Sequence, residues 1–258
     1  MEAFSITGDL IMDFLAQLTQ KTLILVAHPD DESIGCGGLV QRMREAAIFL
    51  CTDGAPHIPA VWIGKGFRTR EAYAEARYKE IQDVIKLGKV KHREFMTGVA
   101  DQQLHEKLPI VLKYLSAHID SEKPNAILTH AYEGGHPDHD CCSFLASIVS
   151  KRFSVPAYEM PFYWKSPAGP LVFQKFMNPS PNDFSLDLSE TEIIVKKKMF
   201  QAHRTQSAVL ADFDLSREFF RLQPEYDYSV AANPAFNTFA VCAVSVESVL
   251  SRFRSLER

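Results

Sequence analysis

Apolar, β-branched runs recur along the chain at the length of buried strands, with segments of helical spacing between them. Thr22-Leu23-Ile24-Leu25-Val26 is continuous rather than alternating, as a parallel strand covered on both faces requires. Ahead of it, Leu10, Ile11, Phe14, Leu15 and Leu18 fall at helical spacing and predict an amphipathic lead-in helix. Residues 38–46 read as a helix and Ala47-Ile48-Phe49-Leu50-Cys51 as a second strand, a βαβ unit with a right-handed crossover. Two prolines and three glycines mark residues 54–67 as a long loop.

The alternation continues with a helix over 69–87 that Gly88 caps, a short strand over 90–96, a loop over 97–102 and a helix over 104–119. Residues 125–129 form the next strand, followed by a loop and a helix to about residue 152. Strands are then expected over 155–163 and 171–176, separated by the turn 166–170, with a loop over 178–184 and a helix over 191–204. A strand over 238–244 and a helix in the last dozen residues end the chain. This rhythm predicts an α/β class protein. The expected architecture is a Rossmann-like three-layer fold with a mostly parallel central sheet, one domain over 1–258, and a site at the carboxyl ends of the strands.

Composition narrows the partners. With 258 residues, 46% hydrophobic, 23% charged and a net charge of −4, the chain has no footprint for nucleic acid. The longest basic run, Lys196-Lys197-Lys198, is expected on the solvated face of a helix. The five cysteines are an odd number without a Cys-x-x-Cys pair, so neither a disulfide framework nor a cysteine zinc site is indicated. Reduced thiols fit a cytoplasmic protein. The N-terminus is unlike a secretory signal, and no apolar run approaches the roughly 18 residues of a membrane span.

The chemistry lies where strands end. Ala27-His28-Pro29-Asp30-Asp31-Glu32 follows the first strand, and His136-Pro137-Asp138-His139 follows the strand over 125–129. Acids and imidazoles crowded at a strand's end are costly to bury unless a cation or a reaction uses them. His28, Asp31 and His139 would supply two imidazoles and one carboxylate, leaving positions open for water and substrate, as catalytic metal sites do. Neighbours in an extended segment point apart, so one of Asp30 and Asp31 can ligate while the other reaches water. Alone, each motif reads as a surface loop with capping aspartates; together they favour a metal. Such a set also suits iron(II). Two rivals of other classes exist. Gly35-x-Gly37 before a helix, with Asp53 ending the second strand, resembles a dinucleotide site, yet Val40 stands where the third glycine belongs. A non-catalytic metal- or carbohydrate-binding module would have no use for Asp30.

AHPDDESIGCGG followed by HPDHDCCS resembles the zinc-dependent sugar de-N-acetylases of the PIG-L/LmbE type, over most of the first 150 residues. The resemblance implies a zinc (Zn2+) hydrolase that removes an acyl group, expected to be acetyl, from an N-acylated amino sugar such as N-acetylglucosamine or its conjugate. A hydrolase of the same fold acting on a non-sugar amide is the nearby alternative. It further implies that Asp31 and His139 are metal ligands with His28, that Asp30 is the general base, and that His136 serves the oxyanion or delivers a proton. Asp138 would fix the tautomer of a neighbouring imidazole. Arg77 resembles an arginine that contacts substrate; otherwise it is a surface ion pair with Glu80 or Asp83. Asp101 resembles an acid that binds sugar hydroxyls; otherwise it caps the helix starting near Gln102. His203 resembles a late histidine near the site; otherwise it is structural. One position departs: some relatives place a mobile tyrosine where Gly134 stands here, and Tyr132 lies two residues earlier. The aromatic stretch 158–164 is expected in the core.

Overall fold

Successive residues of β1 (Lys21–Val26) face opposite sides of the sheet, and both sides are buried. Leu23 and Leu25 enter one hydrophobic core, Ile24 and Val26 the other. The structure, a computed structural model, describes residues 15–88, 92–167, 169–233 and 244–256. Helices Leu104–Glu122, Pro137–Phe153 and Val246–Leu256 pack their apolar stripes on the first face. Helices Asp31–Cys36, Arg70–Gly88 and Glu190–Ala202 cover the second. The result is the three-layer α/β arrangement that the sequence rhythm predicts.

The seven strands run in the order β3-β2-β1-β4-β5-β9-β8, where β2 is Glu45–Leu50, β3 His92–Met96, β4 Ala126–His130, β5 Ala157–Met160, β8 Phe184–Asp187 and β9 Arg217–Leu222. Strands β3 to β5 are parallel; β9 and β8 add an antiparallel edge. The chain travels outward from β1 to β3 and returns to β4 beside β1. Order therefore reverses between β1 and β4, and in an open α/β sheet ligands bind outside the carboxyl ends of the strands at such a point. A separate hairpin pairs β6 (Tyr163–Lys165) with β7 (Leu171–Phe173).

Several expectations need correction. The helix over 38–46 is absent: residues 31–36 are helical, Leu39–Arg42 makes a 3-10 turn, and β2 already begins at Glu45. Bonds from distant side chains hold that short crossover, so local propensity did not decide it. The strand over 155–163 is two strands, the loop over 54–67 contains the helix Pro59–Ile63, and β8 and β9 were not foreseen. Lys196 is not solvated; it is fully buried and pairs with Glu218 at 2.7 Å. Of the lead-in helix, residues 15–18 are helical and 10–14 lie outside the described residues, as does nearly all of the strand over 238–244. Cys36, Cys51, Cys141 and Cys142 are free and buried. Among the described residues, no helix is long and apolar enough to cross a membrane.

Glu159 and Arg221 are cross-strand partners that join the antiparallel edge to the parallel body. Arg221 donates to Glu159 Oε1 at 2.6 Å, to the Asn178 carbonyl at 2.8 Å and to the Tyr226 hydroxyl at 2.9 Å, while lying 4.0 Å over Phe176. Replacing Arg221 with Met leaves a buried carboxylate unpaired. That variant should lose about 3–5 kcal/mol in urea unfolding, and Arg221→Met/Glu159→Gln should recover part of the loss. Equal stability of single and double variants would show that the pair does not hold the edge.

Candidate active site

The turn after β1 folds at once into the helix Asp31–Cys36. The His28 amide donates to Asp31 Oδ2 at 2.7 Å, and the Ser33 amide donates to the Asp30 carbonyl at 3.0 Å. Asp31 thus opens a helix instead of lying in the extended segment expected. The two aspartates still diverge: Asp30 meets Arg77 at 2.9 Å, and Asp31 turns toward histidines. After β4, the chain passes Gly134 (φ 67°) and Gly135 before entering the helix Pro137–Phe153. A Cβ on Gly135 would run into the Tyr163 carbonyl, so glycine lets the hairpin close on this loop. Asp140 accepts the amides of Glu133 at 3.2 Å and Gly134 at 3.0 Å, and Glu133 accepts the Phe162 amide at 2.9 Å.

These loops bring His28, Asp31 and His139 together. His28 Nδ1 lies 3.3 Å from His139 Nε2 and 3.4 Å from Asp31 Oδ2, and His139 Nε2 lies 3.5 Å from Asp31 Oδ1. Metal–ligand bonds of about 2.0–2.1 Å at tetrahedral angles space donor atoms about 3.4 Å apart. The three residues fit a divalent ion in spacing as well as in donor type. Among the described residues, three groups have donor atoms that all lie within 4.8 Å of one another: His28-His136-His139, His28-Asp101-His136-Asp138 and Asp31-His130-His139.

Electrostatics agree with that fit. Burial opposes a charge on His28, but Asp101 and Asp31 outweigh it and hold the pKa well above the usual value. The pocket thus asks for a positive charge there. His139 and His136 are pushed down to about 4, by burial first and then by neighbouring histidines, so both are neutral near pH 7. Burial raises Asp31, yet His139, His130 and His28 bring it well below the carboxylate range. Asp30 goes the other way, because burial exceeds the pull of Arg77.

The remaining residues stand as follows. Asp101 is not a helix cap. It arrives on the loop after β3, which bridges to Pro56, and its Oδ1 lies 3.1 Å from His28 Nε2. Asp138 is fully buried, accepts the Gln102 amide at 2.6 Å and the Leu104 amide at 3.2 Å, and lies 3.5 Å from the same His28 nitrogen. Those two carboxylates favour a proton on His28 Nε2 and leave Nδ1 facing Asp31 and His139. His136 caps its helix: Nδ1 accepts the Asp138 amide at 3.2 Å, which assigns the proton of the neutral ring to Nε2. Arg77 is no surface residue; it is buried and also donates to the Gly54 carbonyl at 2.5 Å. Glu80, its expected partner, instead accepts from the Thr205 amide and hydroxyl.

His203 has no exposed surface and meets Glu32 and Ser33, each at 3.1 Å, so it stands behind the site and presents nothing to a substrate. The Tyr132 hydroxyl donates to the Val230 carbonyl at 2.7 Å, so Tyr132 is committed elsewhere. His130 was missed. It ends β4, stacks on His139 with centroids 3.9 Å apart, and places Nε2 3.2 Å from Asp31 Oδ2. The signal was available: a histidine as the last residue of a strand at the switch point. The dinucleotide reading fails, because the Gly38 and Leu39 amides are taken by Glu218 and Asp53 by Arg70.

Residues 23–150 match the PIG-L family, described as GlcNAc-PI de-N-acetylase. The chain is 26% identical over 195 residues to a probable N-acetyl-α-D-glucosaminyl L-malate deacetylase 2 of Bacillus subtilis (strain 168), covering 74% of this chain and 85% of that protein. It is 24% identical over 273 residues to a 1D-myo-inositol 2-acetamido-2-deoxy-α-D-glucopyranoside deacetylase of Actinosynnema mirum, covering 83% and 93%. Among solved structures, a deacetylase of teicoplanin biosynthesis superposes with a TM-score of 0.62 at 16% identity, covering 79% of this chain and 97% of that one. At that identity the superposition speaks for the fold.

Glu133, which pins the loop between β4 and the HPDH helix, is pushed up to about 8, by burial first. Its proton is held more tightly in the folded chain than at the ordinary value of 4.5, so its stabilising contribution is whole below that value and is lost as pH rises through about 8. The melting temperature should therefore carry a component that falls between about pH 5 and about pH 8.5. Glu133→Gln should remove that component; an unchanged slope would count against it.

Proposed function

We infer, from the premise that this chain belongs to the PIG-L family through residues 23–150, that it is a metal-dependent hydrolase of N-acylated amino sugars, with acetyl as the expected acyl group. The observation that carries the reading is the donor spacing: His28 Nδ1, His139 Nε2 and Asp31 meet at 3.3–3.5 Å. His28, Asp31 and His139 would hold the ion, zinc in the first instance and iron(II) in the second. When bound, such an ion makes water a nucleophile near neutral pH and polarises the acyl carbonyl.

The protein's own groups do the rest. Asp30 accepts the proton of the attacking water; its raised pKa keeps it basic enough for that work, and Arg77 fixes its orientation. His136 carries its proton on Nε2 and donates it as a hydrogen bond to the developing oxyanion. Asp101 and Asp138 orient His28. The sugar reading of Asp101 narrows accordingly, since the carboxylate already serves a ligand. The conjugate attached to the sugar is a further choice among substrates, for which the two relatives' names offer malate and inositol as first probes.

The direct test is release of free amine from a panel of N-acyl amino sugars by zinc-loaded protein, with chelation abolishing it and zinc restoring it. Full turnover by metal-free protein would sink the reading. The aspartates should separate. Asp31→Asn should lose metal, whereas Asp30→Asn should keep it and slow turnover by about 10²–10⁴-fold. Metal content by mass spectrometry beside turnover decides, and the reverse pattern would exchange the two roles. Asp101→Asn should weaken metal affinity by about 10–100-fold. A higher KM at unchanged affinity would instead return Asp101 to the sugar.

A further inference from the structure

We propose that Lys196 and Glu218, from the far half of the chain, are positioning residues for the metal centre: together they clamp the segment that carries Asp31. This rests on the metal-centred reading above and adds to it. Both side chains are fully buried, and Lys196 Nζ lies 2.7 Å from Glu218 Oε1. Lys196 also donates to the Ile34 carbonyl at 3.0 Å, near the end of the helix Asp31–Cys36. Glu218 accepts the next free amides, Gly38 to Oε1 at 2.6 Å and Leu39 to Oε2 at 2.8 Å. One ion pair thereby holds three backbone groups on either side of Cys36-Gly37.

The geometry requires such a device. A helix of six residues has too few internal bonds to persist alone, and every one of its residues is buried, so its position is set from outside. Asp31 is its first residue. A slide or rotation of the helix would carry the Asp31 carboxylate away from His28 and His139. Gly37 is part of the same device, because a Cβ there would lie 3.2 Å from Lys196 Cγ and 2.6 Å from the Ser33 carbonyl. Gly37 admits the lysine stem, while Gly35 and Gly38 admit the side chains of Met160 and Leu188, rather than a phosphate. Two buried charges are an expensive way to fill space, and apolar residues of similar volume would stabilise the fold as well. What the pair provides beyond stability is directed bonds to three chosen backbone atoms.

The test uses the full-length protein. Lys196→Met alone leaves Glu218 buried and unpaired, so the informative variant is the neutral pair Lys196→Met/Glu218→Gln, which keeps volume and an acceptor for one amide. Its melting temperature in chelator should stay close to that of the parent. Its zinc affinity, measured by competition with a chromophoric chelator, should fall by about tenfold, the lower end of what supporting partners of metal ligands contribute. Hydrogen exchange at Gly38 and Leu39 should accelerate. At saturating zinc, kcat should drop while KM holds, because the substrate does not touch this pair. A neutral pair that melts like the parent and binds zinc equally well would overturn the proposal, as would a lower melting temperature with unchanged zinc affinity. Failure of the parent itself to bind zinc would fault the metal reading instead.

Discussion

The pairing of β1 with β4 is the constraint on which the site depends. Three register partners, Thr22↔Ala126, Leu23↔Ile127 and Ile24↔Leu128, align two strands that are a hundred residues apart in sequence. Their carboxyl ends must then lie side by side, and the loops that follow have nowhere else to meet. Neither loop needs to be long, and both can be rigid, because the sheet has already closed the distance. A slip of one residue in this register would turn the alternating Leu23/Leu25 and Ile24/Val26 sets to the wrong cores, so apolar burial on both faces guards the position of the chemistry.

Charge is handled by two different rules in neighbouring layers. At the carboxyl ends of β1 and β4, neighbouring histidines bring Asp31 well below the carboxylate range against the effect of burial, and His28 does the same for Asp101. Behind the HPDH loop, Asp140 and Glu133 accept backbone amides, and burial raises both. The first set concentrates negative charge where a cation is wanted. The second supports the loop from below without adding to that field, since a protonated carboxyl still accepts a hydrogen bond. Asp30 sits between the rules, with burial raising it and Arg77 beside it drawing it down, which suits the proton-accepting role proposed for it.

Much of the central sheet was legible because its strands are apolar on both faces, and the two motifs were legible because acids and histidines rarely follow such strands. The rest was set by contacts that local pattern does not carry. Residues 31–36 are half polar and include a glycine, and form a helix where Ser33 meets His203 and the Ile34 carbonyl meets Lys196, both far along the chain. β8 is four residues with every second one exposed, too short for its alternation to stand out from a loop. Lys196, within a run of three lysines, gave no sign of burial, since the glutamate that receives it is 22 residues further on. At Asp101 the sequence pattern points only to a cap or a sugar ligand, because no spacing rule links it to a histidine 73 residues earlier.

The clamp on the first loop also bears on the order in which the molecule is made. A nascent chain of 150 residues already contains β1, β4, His28, Asp31 and His139, every part of the donor cluster. The groups that bind the Ile34 carbonyl and the Gly38 and Leu39 amides have not yet been translated. During synthesis the ribosome therefore presents every member of the donor cluster on an unfinished mount. On the proposed clamp, the mount is completed only when the helix Glu190–Ala202 and β9, which carry Lys196 and Glu218, have been made.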